Sequence, residues 1–183
     1  VPFAIGPMLK QYIPEIEALG RIRYKNGSYL RYEGRVVSSD GGMIEADSTL
    51  FDLLTLTFIE GSSNALKIPN GIVLTRSIAE NLFGPANALG KLITINNEEK
   101  VYQVTAVIDN PSHTYLWFTA VILNQTESTL THNSIVSPVE FLDLSSTLFV
   151  RLKKPVTEEL NAKIESVLDR YITKSARQEM GFS

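Results

Sequence analysis

Apolar positions along this chain follow two spacings, every three to four residues in some stretches and every second residue in others. Met8, Leu9, Tyr12 and Ile13 recur at helical spacing after Pro7, a residue suited to a first helical turn. Pro14 ends or bends that helix, and residues 15–19 read as a short continuation of it. Two strand-like runs, 21–25 and 28–37, then flank Asn26-Gly27, a dipeptide that accepts positive φ at both centres of a type I′ turn. A β-hairpin is predicted there, with Tyr24, Tyr29 and Tyr32 adding strand propensity. After a polar break at 38–42, residues 43–46 read as a short strand. Asp47-Ser48 offers a cap to a turn carrying Leu50, Phe51, Leu53 and Leu54. Residues 55–59 alternate like a strand, and 61–70 form a connection.

A compact strand–helix–hairpin unit follows. Residues 71–74 are a buried-type strand, Thr75 a helix N-cap, and Ile78, Ala79, Leu82 and Phe83 one helical face that Gly84-Pro85 stops. A strand over 91–95 leads through a polar turn to 101–108. There Val101, Gln103 and Thr105 take one parity and Tyr102, Val104 and Ala106 the other. Asp109-Asn110-Pro111 closes the unit. Residues 116–123 are expected to be a central strand, and 124–137 a polar loop. Residues 147–152 set Leu148, Val150 and Leu152 against Phe149. Pro155 and Thr157 then open the most regular helix, with a stripe of Leu160, Ile164, Val167, Leu168, Tyr171 and Ile172 that is lost beyond residue 174. Strands and helices mix without strict alternation, so the fold class is α+β. A two-lobed organisation is expected, with residues 1–65 and 110–183 in one lobe and 66–109 as a smaller inserted lobe.

Composition narrows the function classes. The 183 residues suit one domain or two small lobes. Seventeen Lys+Arg against 20 Asp+Glu give a net charge of -3, and Lys153-Lys154 is the lone adjacent basic pair, so nucleic acid is not an expected partner. The absence of cysteine removes disulfides, thiolate zinc sites and cysteine nucleophiles. No run approaches the roughly 20 apolar residues of a membrane span, and no signal peptide opens the chain. The non-Met start and the end at Phe182-Ser183 lead to the expectation of a piece excised from a longer protein.

Candidate chemistry is sparse. Gly84, Gly90 and Lys91 have the wrong spacing for a phosphate loop, and Leu92 stands where Ser or Thr would ligate magnesium. That stretch also follows a helix and precedes a strand, the reverse of a helix-dipole phosphate site. His113 beside Ser112 and Thr114 lacks a nucleophile elbow, and His132 sits among polar residues without acidic neighbours. Glu15/Glu17, Glu98/Glu99 and Glu158/Glu159 are explained by solvation and helix dipoles. The expectation is no catalytic, metal-binding or cofactor-binding residue, and no cofactor. Tyr115, Trp117 and Phe118 are the candidate binding face, with burial in the core as the competing reading.

Several segments, taken in order, resemble one family. Pro14-Glu15-Ile16-Glu17 follows the first helix, then come Ala46-Asp47-Ser48, Phe51-Asp52 and Phe58-Ile59-Glu60-Gly61. Val73-Leu74-Thr75 runs through Ala79 to Leu82-Phe83-Gly84, then Ala88-Leu89-Gly90-Lys91 and Tyr102-Gln103-Val104-Thr105-Ala106-Val107. Asp109, Pro111 and residues 113–118 complete the series, which resembles the MacB-type periplasmic core domain of ABC transporter permeases in the FtsX-like superfamily. Ala106 replaces a usual glycine, and Leu54 a usual second aromatic. The resemblance implies a porter-like α+β lobe carrying the helices at Pro7 and Thr157, with the smaller lobe inserted in it. It implies a non-catalytic domain outside the cytoplasmic (inner) membrane, between the first and second transmembrane helices of the permease. The implied function is to relay ATP-driven motion to the export or extraction of a substrate. The partners so implied are the permease's own transmembrane helices, a second permease copy, a cytoplasmic ABC ATPase acting indirectly, and a periplasmic adaptor or a lipid, lipoprotein or peptide substrate. Two further expectations follow: removal of 66–109 leaves a folded remainder without transport, and the rival reading is an extracytoplasmic ligand-binding sensor domain.

Overall fold

The computed structural model describes residues 5–39, 42–111, 116–124 and 146–179. In chain order the elements begin with α1 (Ile5–Tyr12), β1 (Ile16–Lys25), β2 (Tyr29–Tyr32), β3 (Arg35–Ser38), β4 (Met43–Ala46), α2 (Leu50–Leu53) and β5 (Phe58–Glu60). A 3₁₀ turn (Ser63–Lys67), β6 (Gly71–Thr75), α3 (Arg76–Phe83), β7 (Leu92–Ile95) and β8 (Val101–Ile108) follow. The last are β9 (Ala120–Leu123), β10 (Ser146–Leu152) and α4 (Glu158–Glu179). The class is α+β. The chain packs as two units, Val1–Arg21 with Gln125–Ser183, and Ile22–Asn124.

In the first unit, α1 and α4 share a core with the start of β1. Ile5, Leu9, Ile13, Ile16 and Leu160 are buried, and Leu148, Leu152, Ile164 and Val167 pack against them. The predicted α4 stripe therefore faces inward as far as Leu168, whereas the side chains of Tyr171 and Ile172 lie outside those described. Thr157 caps α4 by accepting from the Leu160 N–H at 3.1 Å. The expected helical continuation over 15–19 is instead the first half of β1. Pro14 cannot donate to the helix and disfavours helical geometry at Ile13, and the five residues beyond it are too few to nucleate a helix. They pair instead: β10 neighbours β1, and just beyond β10 the Lys153 N–H donates to Glu15 O at 2.9 Å.

The second unit is a mixed sheet in the order β1-β4-β9-β6-β8-β7-β2-β3, with β5 also on β8. β6 and β8 are parallel and joined through α3, while β7 and β8 form an antiparallel hairpin. Ile72, Leu74, Ile93, Tyr102 and Val104 from the sheet bury Ile78, Leu82 and Phe83 of α3, the helical face expected from their spacing. Gly84 ends α3 at φ 66, a conformation that favours glycine. The predicted hairpin at Asn26-Gly27 does not form: β1 pairs with β4, and β2 pairs with β3 and β7. Gly27 has positive φ, but Asn26 does not. The residues with positive φ at both centres are Glu33 and Gly34, and their turn makes the β2–β3 hairpin inside the run read as one strand. β5 and β9 are shorter than expected, and the 3₁₀ turn occupies the middle of the 61–70 connection. The segment 66–109 lies wholly inside this second unit, where β6, β8 and β7 hydrogen-bond to β9, β5 and β2. The packing boundaries at Arg21/Ile22 and Asn124/Gln125 therefore differ from the expected ones, because ladder bonds tie that segment to the strands on either side.

Candidate functional site

Of the expected binding face, Trp117 is 57% exposed and Phe118 is 2% exposed. Leu116 and Phe118 point inward on either side of an outward Trp117, so Phe118 contributes to the core rather than to a shared aromatic surface. Tyr115 lies outside the described residues, as do Ser112, His113, Thr114 and His132. The chain after Trp117 is held firmly. The Thr119 N–H and Oγ1 both donate to Gly42 O, at 2.9 and 3.2 Å, and Thr119 O accepts from the Thr75 N–H at 2.9 Å.

At the same end of the sheet, the first turn of α3 is closed from a distance. Thr75 occupies the N-cap position, but its side chain makes no capping bond. The Asn110 carboxamide oxygen takes that part, accepting from the Ser77 N–H at 3.2 Å and from Ser77 Oγ at 3.0 Å. Arg76 pairs with Asp109 at 3.3 Å. A small cavity of about 170 Å³ lies alongside, bordered by Ile59, Glu60, Arg76, Glu80, Ala88 and Val107. One of its two carboxylates is already engaged, because Glu60 Oε2 accepts from the Leu89 N–H at 3.2 Å.

Gly84, Gly90 and Lys91 do not build a phosphate loop. Gly84 and Gly90 serve turns at positive φ, and the Lys91 ammonium lies over the Phe83 and Tyr32 rings, 4.5 and 5.3 Å from their centroids. Burial, and then a hydrogen bond to the Glu33 carboxylate, push the Tyr32 hydroxyl above its ordinary pKa. Tyr102 is raised as well, first by burial and then by Glu98 and Glu45. Among the described residues, no cluster of three His, Asp or Glu side chains could hold a metal ion.

A second concavity among the described residues escaped the sequence reading. It is a notch of about 620 Å³ between the end of β2 and the start of β7, with Arg31, Tyr32, Lys91, Leu92 and Val101 along its walls. The parity that put Val101 and Gln103 on the side away from Tyr102 was its one legible signal. What hid it was the misplaced hairpin, since the notch exists because β2 turns back at Glu33-Gly34.

Residues 3–167 match the family described as the MacB-like periplasmic core domain. The chain belongs to that family. Its fold recurs in solved structures at low identity. A domain assigned to a permease of Porphyromonas gingivalis has a TM-score of 0.70 at 16% identity, over 90% of this chain and 68% of that one. The periplasmic region of MacB from Actinobacillus actinomycetemcomitans gives 0.64 at 14% identity, over 98% and 82%. The extracellular domain of the noncanonic ABC-type transporter YknZ from Gram-positive bacteria gives 0.62 at 14%, over 91% and 81%. No curated protein matches the sequence. This MacB-like domain is an extracytoplasmic domain of an ABC transporter permease, and no described helix in it is long and apolar enough to cross a membrane.

Proposed function

We infer that this domain is a non-catalytic relay, taking up motion driven by ATP hydrolysis on a cytoplasmic ABC ATPase and using it to move a substrate or partner outside the membrane. The permease's own transmembrane helices would deliver that motion, with a second permease copy alongside. A periplasmic adaptor, or a lipid, lipoprotein or peptide cargo, would receive it. The observation that carries this reading is the first unit: α1 and α4, the first and last described helices, share one apolar core through Ile5, Leu9, Ile13, Leu160 and Ile164. Motion applied to either helix is transmitted to the other, because packed interiors shift as bodies rather than deform continuously.

The chain has no cysteine, so a single label can be placed cleanly. Asn97→Cys, at an exposed turn position, would carry a spin label in a permease whose other cysteines are replaced. The distance between the two labelled copies, measured without nucleotide and with ATP trapped, is expected to change by several ångströms. An unchanged distance, together with saturable binding of a small ligand by the domain, would overturn the relay and establish the sensor reading instead.

A further inference from the structure

The notch beside β7 has no part in the relay. β2 and β7 pair only at Leu30↔Ile95 and Arg31↔Thr94. Past that point the pairing stops, and Leu92 and Ile93 have no β2 partner in the ladder. Leu92 is 59% exposed and Val101 45% exposed on the same sheet face, where Arg31, Thr94 and Val101 share one cross-strand row. The two cations on the walls have no carboxylate partner among the described residues. Arg31 donates its Nε to Asn96 O at 2.8 Å, and Lys91 lies on the Phe83 and Tyr32 rings. Glu33 also borders the notch, so its walls carry two cations against one carboxylate. In a chain of net charge -3, this is an apolar site with a local excess of positive charge, able to take an anionic group.

We propose that the notch docks an extended acidic segment of a partner protein, its carboxylates meeting Arg31 and Lys91 and its apolar side chains covering Leu92 and Val101. The notch favours a peptide over an acyl chain. Its apolar residues stay half in water, which leaves a hydrocarbon tail uncovered, whereas an extended peptide also supplies main-chain partners along the unpaired side of β7. This proposal goes beyond the relay and is tested by binding alone, so its failure would leave the relay untouched.

The probe is a fluorescein-labelled nine-residue peptide alternating Glu and Leu, with a Lys/Leu counterpart as control, titrated by anisotropy against the 183-residue domain. The acidic peptide is expected to bind at least tenfold more tightly than the basic one, and to weaken as salt is raised. Arg31→Gln should weaken it severalfold, and Leu92→Ser likewise. Both positions are exposed, so both variants should fold, which circular dichroism checks. Arg31→Glu combined with Lys91→Glu should reverse the preference toward the basic peptide. Equal binding of the two peptides, binding unmoved by Arg31→Gln and Leu92→Ser, or displacement of the peptide by sodium dodecanoate at lower concentration than by unlabelled peptide would each overturn the proposal.

Discussion

Gly34 and Gly61 separate two costs that are usually confounded. Both have φ near +80°, but a Cβ on Gly34 would meet nothing within 4 Å, whereas one on Gly61 would lie 2.4 Å from Thr105 O and 2.8 Å from Ala106 Cβ. Gly34→Ala should therefore cost only the backbone conformation, about 1 kcal/mol. Gly61→Ala should cost roughly 2–4 kcal/mol, because the overlap is with backbone that cannot yield cheaply. Urea melts of the two variants measure the difference, and equal values would mean that the β5–β8 approach is looser than it is described. The same contact shows how Ala106 is accommodated: its methyl fits because position 61 has none. Glu15 makes a second residue-scale prediction. Its own backbone hydrogen bond, then the Lys163 ammonium 3.1 Å from both carboxylate oxygens, hold its pKa below the ordinary 4.5, with burial opposing weakly. A lowered folded-state pKa stabilises the fold above the unfolded value and is lost as pH falls through the folded one. Glu15→Gln should therefore be less stable than wild type at pH 7 and lose that deficit as pH falls through the lowered carboxyl pKa, read as converging melting curves.

At the scale of elements, α3 shows how a correct boundary can rest on a wrong partner. The stop at Gly84, the inward face and the N-cap position of Thr75 all follow from local spacing, and each is where the sequence puts it. The capping oxygen comes from Asn110, 33 residues downstream, brought there by β8 running parallel to β6. Asn110→Ala should cost about 1 kcal/mol and speed amide exchange in the first turn of α3. A variant as protected as wild type would return the capping role to Thr75 or to water. The same division between local and long-range information explains what could be read. α3, β6, β7, β8 and α4 were legible because period, cap and stop agree within a dozen residues. Asn26-Gly27 misled because a turn-forming dipeptide specifies a reversal and not the strand that pairs afterwards. Glu33-Gly34 was passed over because glutamate is a poor advertisement for positive φ. Of the candidate face, Trp117 is exposed and Phe118 turns inward, a division that hydrophobicity alone could not show.

For the molecule as a whole, the consequential question is which piece can be removed. The resemblance suggests excising 66–109 as a lobe, and the ladder argues the opposite. That segment holds β6 and β8, whose side chains Ile72, Leu74, Tyr102 and Val104 form the floor beneath α3. Without it, β9 keeps β4 but loses β6, and β2 keeps β3 but loses β7. What remains of the second unit is then a two-stranded ribbon and a separate three-stranded patch without their covering helix, and isolated hairpins are marginal in water. The deletion should therefore leave that unit unfolded, seen as lost dispersion in a ¹H–¹⁵N spectrum, while the first unit keeps its own core of Ile5, Leu9, Ile13 and Leu160. Leu160→Ala is the complementary cut. Loss of a buried leucine side chain costs roughly 2–5 kcal/mol, and it falls on a core that belongs to the first unit. Amide exchange should accelerate in α1 and α4 and stay slow in β6 and β8. If exchange rose equally in all four, the two units would be one cooperative body. Transport lost on deleting 66–109 would then report global unfolding rather than the absence of a working part.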